Sequence, residues 1–81
     1  MINIKVLGSG CANCKRLQAN VERLAAQNNL PIELEKVTEY ADILKWNIMA
    51  TPGLVINDKV VSAGRIPTDT EIVRWLTASQ N

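Results

Sequence analysis

The chain of 81 residues has no histidine and no phenylalanine, and only two cysteines, two tryptophans and one tyrosine. Without histidine it lacks the usual proton shuttle near neutral pH and the commonest metal ligand. Two cysteines are too few for a disulfide-stapled scaffold. An excess of one charge is missing too, since nine basic and eight acidic residues leave a formal net charge of +1. That balance argues against a nucleic-acid backbone as the main partner, because such binding relies on clustered cations. No apolar run approaches the roughly 20 residues needed to span a bilayer, so no membrane role is expected. The opening Met1-Ile2-Asn3-Ile4-Lys5 lacks a basic segment followed by an apolar one. No secretory signal is read there, and the expected location is cytoplasmic. The remainder, 47% hydrophobic and 21% charged, suits one ordinary folded domain over residues 1–81.

The two cysteines stand three positions apart in Gly8-Ser9-Gly10-Cys11-Ala12-Asn13-Cys14. In a chain without an export signal, such a pair reads as chemistry or metal before it reads as a staple. A bridge across three positions closes so short a loop that the chain-entropy model gives it little stabilising value. The stretch follows the apolar run Ile2–Leu7 and opens a helical pattern, so Cys11 falls where a strand turns into a helix. Unpaired amide N–H groups and the positive helix end favour a thiolate at Cys11. The offset sets Cys14 close enough to bridge.

Along the chain, Ile2, Ile4 and Val6 alternate as a strand, with Leu7 extending its apolar end. Cys14, Leu17, Val21, Leu24 and Ala25 recur at helical spacing, giving a helix over about 11–28 that stops before Pro31. Ile32, Leu34 and Val37 mark a second strand. Thr38 stands as the cap of a second helix whose apolar stripe is Tyr40, Ile43 and Leu44, with Trp46 beside it, ending near Asn47-Ile48. Ala50-Thr51-Pro52-Gly53 breaks the pattern. Leu54–Ile56 and Lys59–Ala63 then read as a hairpin about Asn57-Asp58. After Gly64-Arg65-Ile66-Pro67, Thr68-x-x-Glu71 is a capping box for a last helix carrying Ile72, Val73, Trp75 and Leu76.

The order is βαβαββα. A helix between the first two strands implies a right-handed crossover and parallel pairing. The late hairpin makes the four-stranded sheet mixed, with helices on both faces in a three-layer α/β sandwich. Reactive groups in such sheets belong at the carboxyl ends of strands, which is where Cys11 falls.

A Cys-x-x-Cys pair opening the first helix, with Thr51-Pro52 leading into a late hairpin, resembles the thioredoxin superfamily. Gly8-x-Gly10-Cys11-x-x-Cys14 and the short length resemble, within it, the small redox-active disulfide proteins of about glutaredoxin size. The residues between the sulfurs, Ala12-Asn13, match neither the Gly-Pro of a typical thioredoxin nor the Pro-Tyr of a glutaredoxin. The strand before them offers Lys5 in place of thioredoxin's buried acid.

The resemblance implies a thiol–disulfide oxidoreductase that needs no cofactor beyond its own Cys11–Cys14 disulfide. Cys11 is then the nucleophile, and Cys14, on the apolar stripe, resolves the mixed disulfide. Disulfide-containing proteins are the implied substrates, with a flavoprotein reductase or glutathione as electron donor. The Thr51–Pro52 bond is implied to be cis, with Thr51 offering backbone hydrogen bonds to an extended substrate. Taken without the resemblance, Pro52 reads as trans, because only about 5–6% of X–Pro bonds are cis. Gly64 either admits a peptide or glutathione closely or simply ends a strand. Asn13 is given no catalytic role. Tyr40, Trp46 and Trp75 read as core or flank, and Lys5 as a snorkelling strand residue. The rivals are a Cu(I) carrier built on two soft thiolates and a redox sensor that binds a partner in one oxidation state. Copper-chaperone-like domains run βαββαβ, whereas this chain ends on a capped helix.

Overall fold

Residues 1–80 are described by the computed structural model. They run β1 (Ile2–Leu7), α1 (Ala12–Gln27), β2 (Ile32–Val37), α2 (Tyr40–Leu44), β3 (Gly53–Ile56), β4 (Lys59–Ala63) and α3 (Asp69–Ala78). The sheet order is β2-β1-β3-β4, with β1 parallel to β2 and antiparallel to β3, and β4 antiparallel to β3. This is the mixed four-stranded sheet implied by the order of apolar patterns.

Strand alternation divides the interior. Ile2, Ile4, Val6, Leu54 and Ile56 face Leu17, Val21 and Leu24 of α1 and Ile72 and Leu76 of α3. Leu7 and Val55 point to the opposite face, where Val37 and Ile43 meet them and Trp46 and Ile48 close the margin. Helices therefore cover both sides, α1 and α3 on one and the short α2 on the other. Lys5 belongs to the α2 face, with Nζ 5.9 Å from the Trp46 ring centre and 4.0 Å from an Asp58 carboxylate oxygen. Its stem lies along the sheet while the ammonium reaches out.

Local chemistry accounts for the joints. Asn57 and Asp58 turn the hairpin with φ of +48° and +65°, the left-handed pair that suits strand twist. A bulge follows, so that Val55 pairs with Val60 but Leu54 with Ser62. At α3, the Thr68 hydroxyl accepts from the Glu71 amide while the Glu71 carboxylate accepts from the Thr68 amide. Among the described residues no helix is long and apolar enough to cross a membrane.

The second helix departs from expectation in three ways. Its N-cap is Glu39 rather than Thr38, with no side-chain cap bond. It ends at Leu44 rather than near Asn47, and the chain turns away through Asn47 at φ +57°. Of its apolar stripe only Ile43 is buried, while Tyr40 is 74% and Leu44 49% exposed. Five residues make little more than one turn, so a single apolar position can face the sheet.

Candidate active site

Sheet register gathers the singled-out residues at one end of the molecule. Leu7 is opposite Gly53, and Gly53 is opposite Ala63. The segments just beyond these pairs, Gly8–Cys11, Thr51–Pro52 and Gly64, therefore lie side by side. The Gly64 amide donates to the Pro52 carbonyl at 2.9 Å, and the Gly8 amide donates to the Val37 carbonyl at 2.9 Å. The Thr51–Pro52 peptide bond is cis.

Cys11 and Cys14 are joined in a disulfide, with Cα atoms 5.1 Å apart. Cys11 is the N-cap of α1, exposed at the turn, and its Sγ accepts the Cys14 amide at 3.1 Å. Its carbonyl accepts the first intrahelical bond, from the Lys15 amide. Cys14 faces inward and is only 5% exposed. One sulfur is thus presented at a helix N-terminus, where negative charge is stabilised, and the other is sheltered beneath it.

The two glycines before Cys11 serve different ends. A Cβ on Gly8 would collide with Cys14 Sγ and stand 3.6 Å from the Thr51 side chain. Gly8 thus leaves the space that the inner sulfur fills, between β1 and the Thr51 loop. This contact is invisible to spacing along the chain, because it depends on the helix folding back over β1. Gly10 has open space about its Cα but a φ of +71°, a conformation that favours glycine.

Gly64 is also held from behind. A Cβ there would lie 3.0 Å from Ala50, and the next residue, Arg65, donates two 2.9 Å bonds to the Glu71 carboxylate. Those bonds, with the Thr68 amide, hold the Glu71 carboxyl down at about 2. Arg65 is raised in turn by Glu71. The helix cap and the connector beside Pro52 therefore share one carboxylate. Among the described residues, no group of three or more Cys, Asp or Glu side chains is clustered for a metal ion.

A family model for the thioredoxin domain matches residues 2–77. The chain belongs to the thioredoxin family. A protein named thioredoxin from Methanothermobacter thermautotrophicus is 32% identical over 77 residues, covering 95% of this chain and all of the relative. Another so named, from Methanocaldococcus jannaschii, is 33% identical over 72 residues, covering 89% of this chain and 83% of the relative. The thioredoxin-family chain is accordingly a thiol–disulfide oxidoreductase, and its Cys-x-x-Cys pair lies within the matched region. This thioredoxin-family site carries Lys5, not an acid, on the strand leading to the cysteines.

Proposed function

We propose that Cys11 is the nucleophile and Cys14 the resolving thiol in exchange with protein disulfides. The reading is carried by one observation: Cys11 is exposed at the N-cap while Cys14 is 5% exposed beneath it. In the reduced protein the Cys11 thiolate attacks one sulfur of a substrate disulfide. A Cys11–substrate bond forms and the other substrate sulfur leaves as a thiolate that takes up a proton. Cys14, deprotonated, then attacks the Cys11 sulfur, closes the intramolecular disulfide and releases the second substrate thiol. Two electrons pass to the substrate. The Cys14 amide, aimed at Cys11 Sγ, favours negative charge on the attacking sulfur.

Thr51, Pro52 and Gly64 form the surface against which an extended substrate segment lies in this reading. Their position beside the cysteine turn follows from the register of β1, β3 and β4. A flavoprotein reductase or glutathione returns the electrons, and the cytoplasm, where thiols are kept reduced, is the setting.

The test is trapping. Cys14→Ser should accumulate a mixed disulfide through Cys11 when challenged with an oxidised protein, and Cys11→Ser should accumulate little. Equal trapping by both variants would overturn the assignment of roles. Retention of Cu(I) against competing thiols, without turnover of any disulfide, would point instead to metal carriage.

A further inference from the structure

Two arginine–carboxylate pairs hold the first turn of α3. Arg23 of α1 donates from Nη2 to both Asp69 oxygens, at 3.2 and 3.1 Å, and ties that turn to the thick core. Arg65 donates from Nη1 and Nη2 to the two Glu71 oxygens, each at 2.9 Å, and ties the same turn to the connector after β4. Only the second is a two-pronged fork, which adds direction to an ion pair. Arg65 is 53% and Glu71 24% exposed, and pairs this open to water contribute little stability. The fork matters for where it holds the chain. Arg65, Ile66 and Pro67 make no backbone hydrogen bond among the described residues. The connector is therefore tethered by polar contacts at two points, the Gly64 amide on the Pro52 carbonyl at 2.9 Å and the Arg65 side chain on Glu71. Glu71 is a fixed post: its Oε1 also accepts from the Thr68 amide and hydroxyl, and its neighbour Ile72 is fully buried.

We propose that Arg65 is a positioning residue for disulfide exchange: forked onto Glu71, it holds Gly64 against Pro52 in the geometry that the backbone of a polypeptide substrate meets. The inference rests on the oxidoreductase reading, in which Thr51, Pro52 and Gly64 face the substrate, and adds the side chain that sets them. Arg65 acts through Gly64 and not on the sulfurs, so the bonds made and broken are those of the exchange above. Misplacing a positioning surface slows only the substrates that use it. A disulfide with no polypeptide backbone is then indifferent to Arg65. The planar fork is also the part that a lysine cannot replace, because an ammonium supplies charge without two parallel bonds.

The experiment is a single-turnover reaction of the pre-reduced protein, so that its own dithiol supplies the two electrons. Rates are compared for a peptide disulfide with residues on both sides of its cysteine and for hydroxyethyl disulfide, which has no backbone. Arg65→Gln should slow the peptide about three- to tenfold, the worth of one hydrogen bond to the substrate, and leave hydroxyethyl disulfide unchanged. Glu71→Gln should act in the same direction, and the double variant should be little slower than the slower single one. Arg65→Lys should recover the rate only in part. Arg23→Gln breaks the other pair on the same turn and should keep the parent's ratio of the two rates. Hydrogen exchange at the Gly64 amide should quicken in Arg65→Gln and not in Arg23→Gln. An unchanged ratio or unchanged Gly64 exchange in Arg65→Gln would overturn the inference. So would equal slowing of both disulfides, an equal effect of Arg23→Gln, full recovery by Arg65→Lys, or fully additive effects in the double variant. With any of these results, reduction of the disulfides by the parent protein leaves the oxidoreductase reading standing. A parent that reduces neither disulfide sinks that reading, and the role of Arg65 with it.

Discussion

At the scale of single residues, Gly8 and Gly10 separate two reasons for having no side chain. An alanine at Gly8 meets the inner sulfur, and overpacking of this kind costs about 1–3 kcal/mol. Cys14 would have to yield, since Leu7 and Val6 beneath the turn are already buried. Gly8→Ala should therefore leave free thiols in a redox buffer that fully oxidises the parent, measured by alkylation and mass. Gly10→Ala meets no atom but must hold a left-handed φ, at about 1–2 kcal/mol. It should lower thermal stability while the thiols still oxidise fully. A Gly8→Ala protein that oxidises as readily as Gly10→Ala would show that the cavity beside β1 is not needed. Both glycines are legible in the sequence as turn formers. Only the fold distinguishes them, because the atom that Gly8 must avoid sits six residues along and on another element.

At the scale of elements, legibility follows length. α1 repeats its apolar stripe through Cys14, Leu17, Val21, Leu24 and Ala25, so its facing was readable, and the capping box fixed the start of α3. α2 has no such redundancy, and its misplaced cap and overstated stripe follow from one buried position. The cap of α3 yields two predictions. Thr68→Ala removes the hydroxyl that accepts the Glu71 amide and should cost about 1 kcal/mol, read from denaturant unfolding. Glu71 supplies a pH dependence. Its carboxyl is held at about 2 in the folded protein by Arg65 first and the Thr68 backbone second, against an ordinary value of 4.5. Because the folded value is depressed, its stabilising contribution is complete above about 4.5 and is lost as pH falls towards 2. Glu71→Gln, which cannot titrate, should flatten the decline of Tm across that window. An identical acid slope in parent and variant would remove the Arg65–Glu71 pair from the account.

At the scale of the whole molecule, the sheet has a thick side and a thin one. α1 and α3 bury a continuous core against Ile2, Ile4, Val6, Leu54 and Ile56. The other side rests on Leu7, Val37, Ile43 and Val55 beneath the short α2. A folded chain of this length has a total stability on the order of 4–12 kcal/mol. Leu17→Ala, at a fully buried position facing the thick core, should remove about 2–5 kcal/mol and unfold much of the population together. Ile43 differs, since it is 5% exposed and is the one buried residue of a five-residue helix without a side-chain cap. Helices far shorter than about 12–15 residues do not persist without tertiary contacts, so α2 is held to the sheet largely by that side chain. Its amides, such as the Ile43 N–H bonded to the Glu39 carbonyl, should exchange with solvent faster than those of β1 in the parent protein. Ile43→Ala should speed exchange across 40–44 far more than across β1, and should do so before it changes the oxidation of the cysteines. If exchange rose equally in α2 and β1, the thin face would open only with the whole fold.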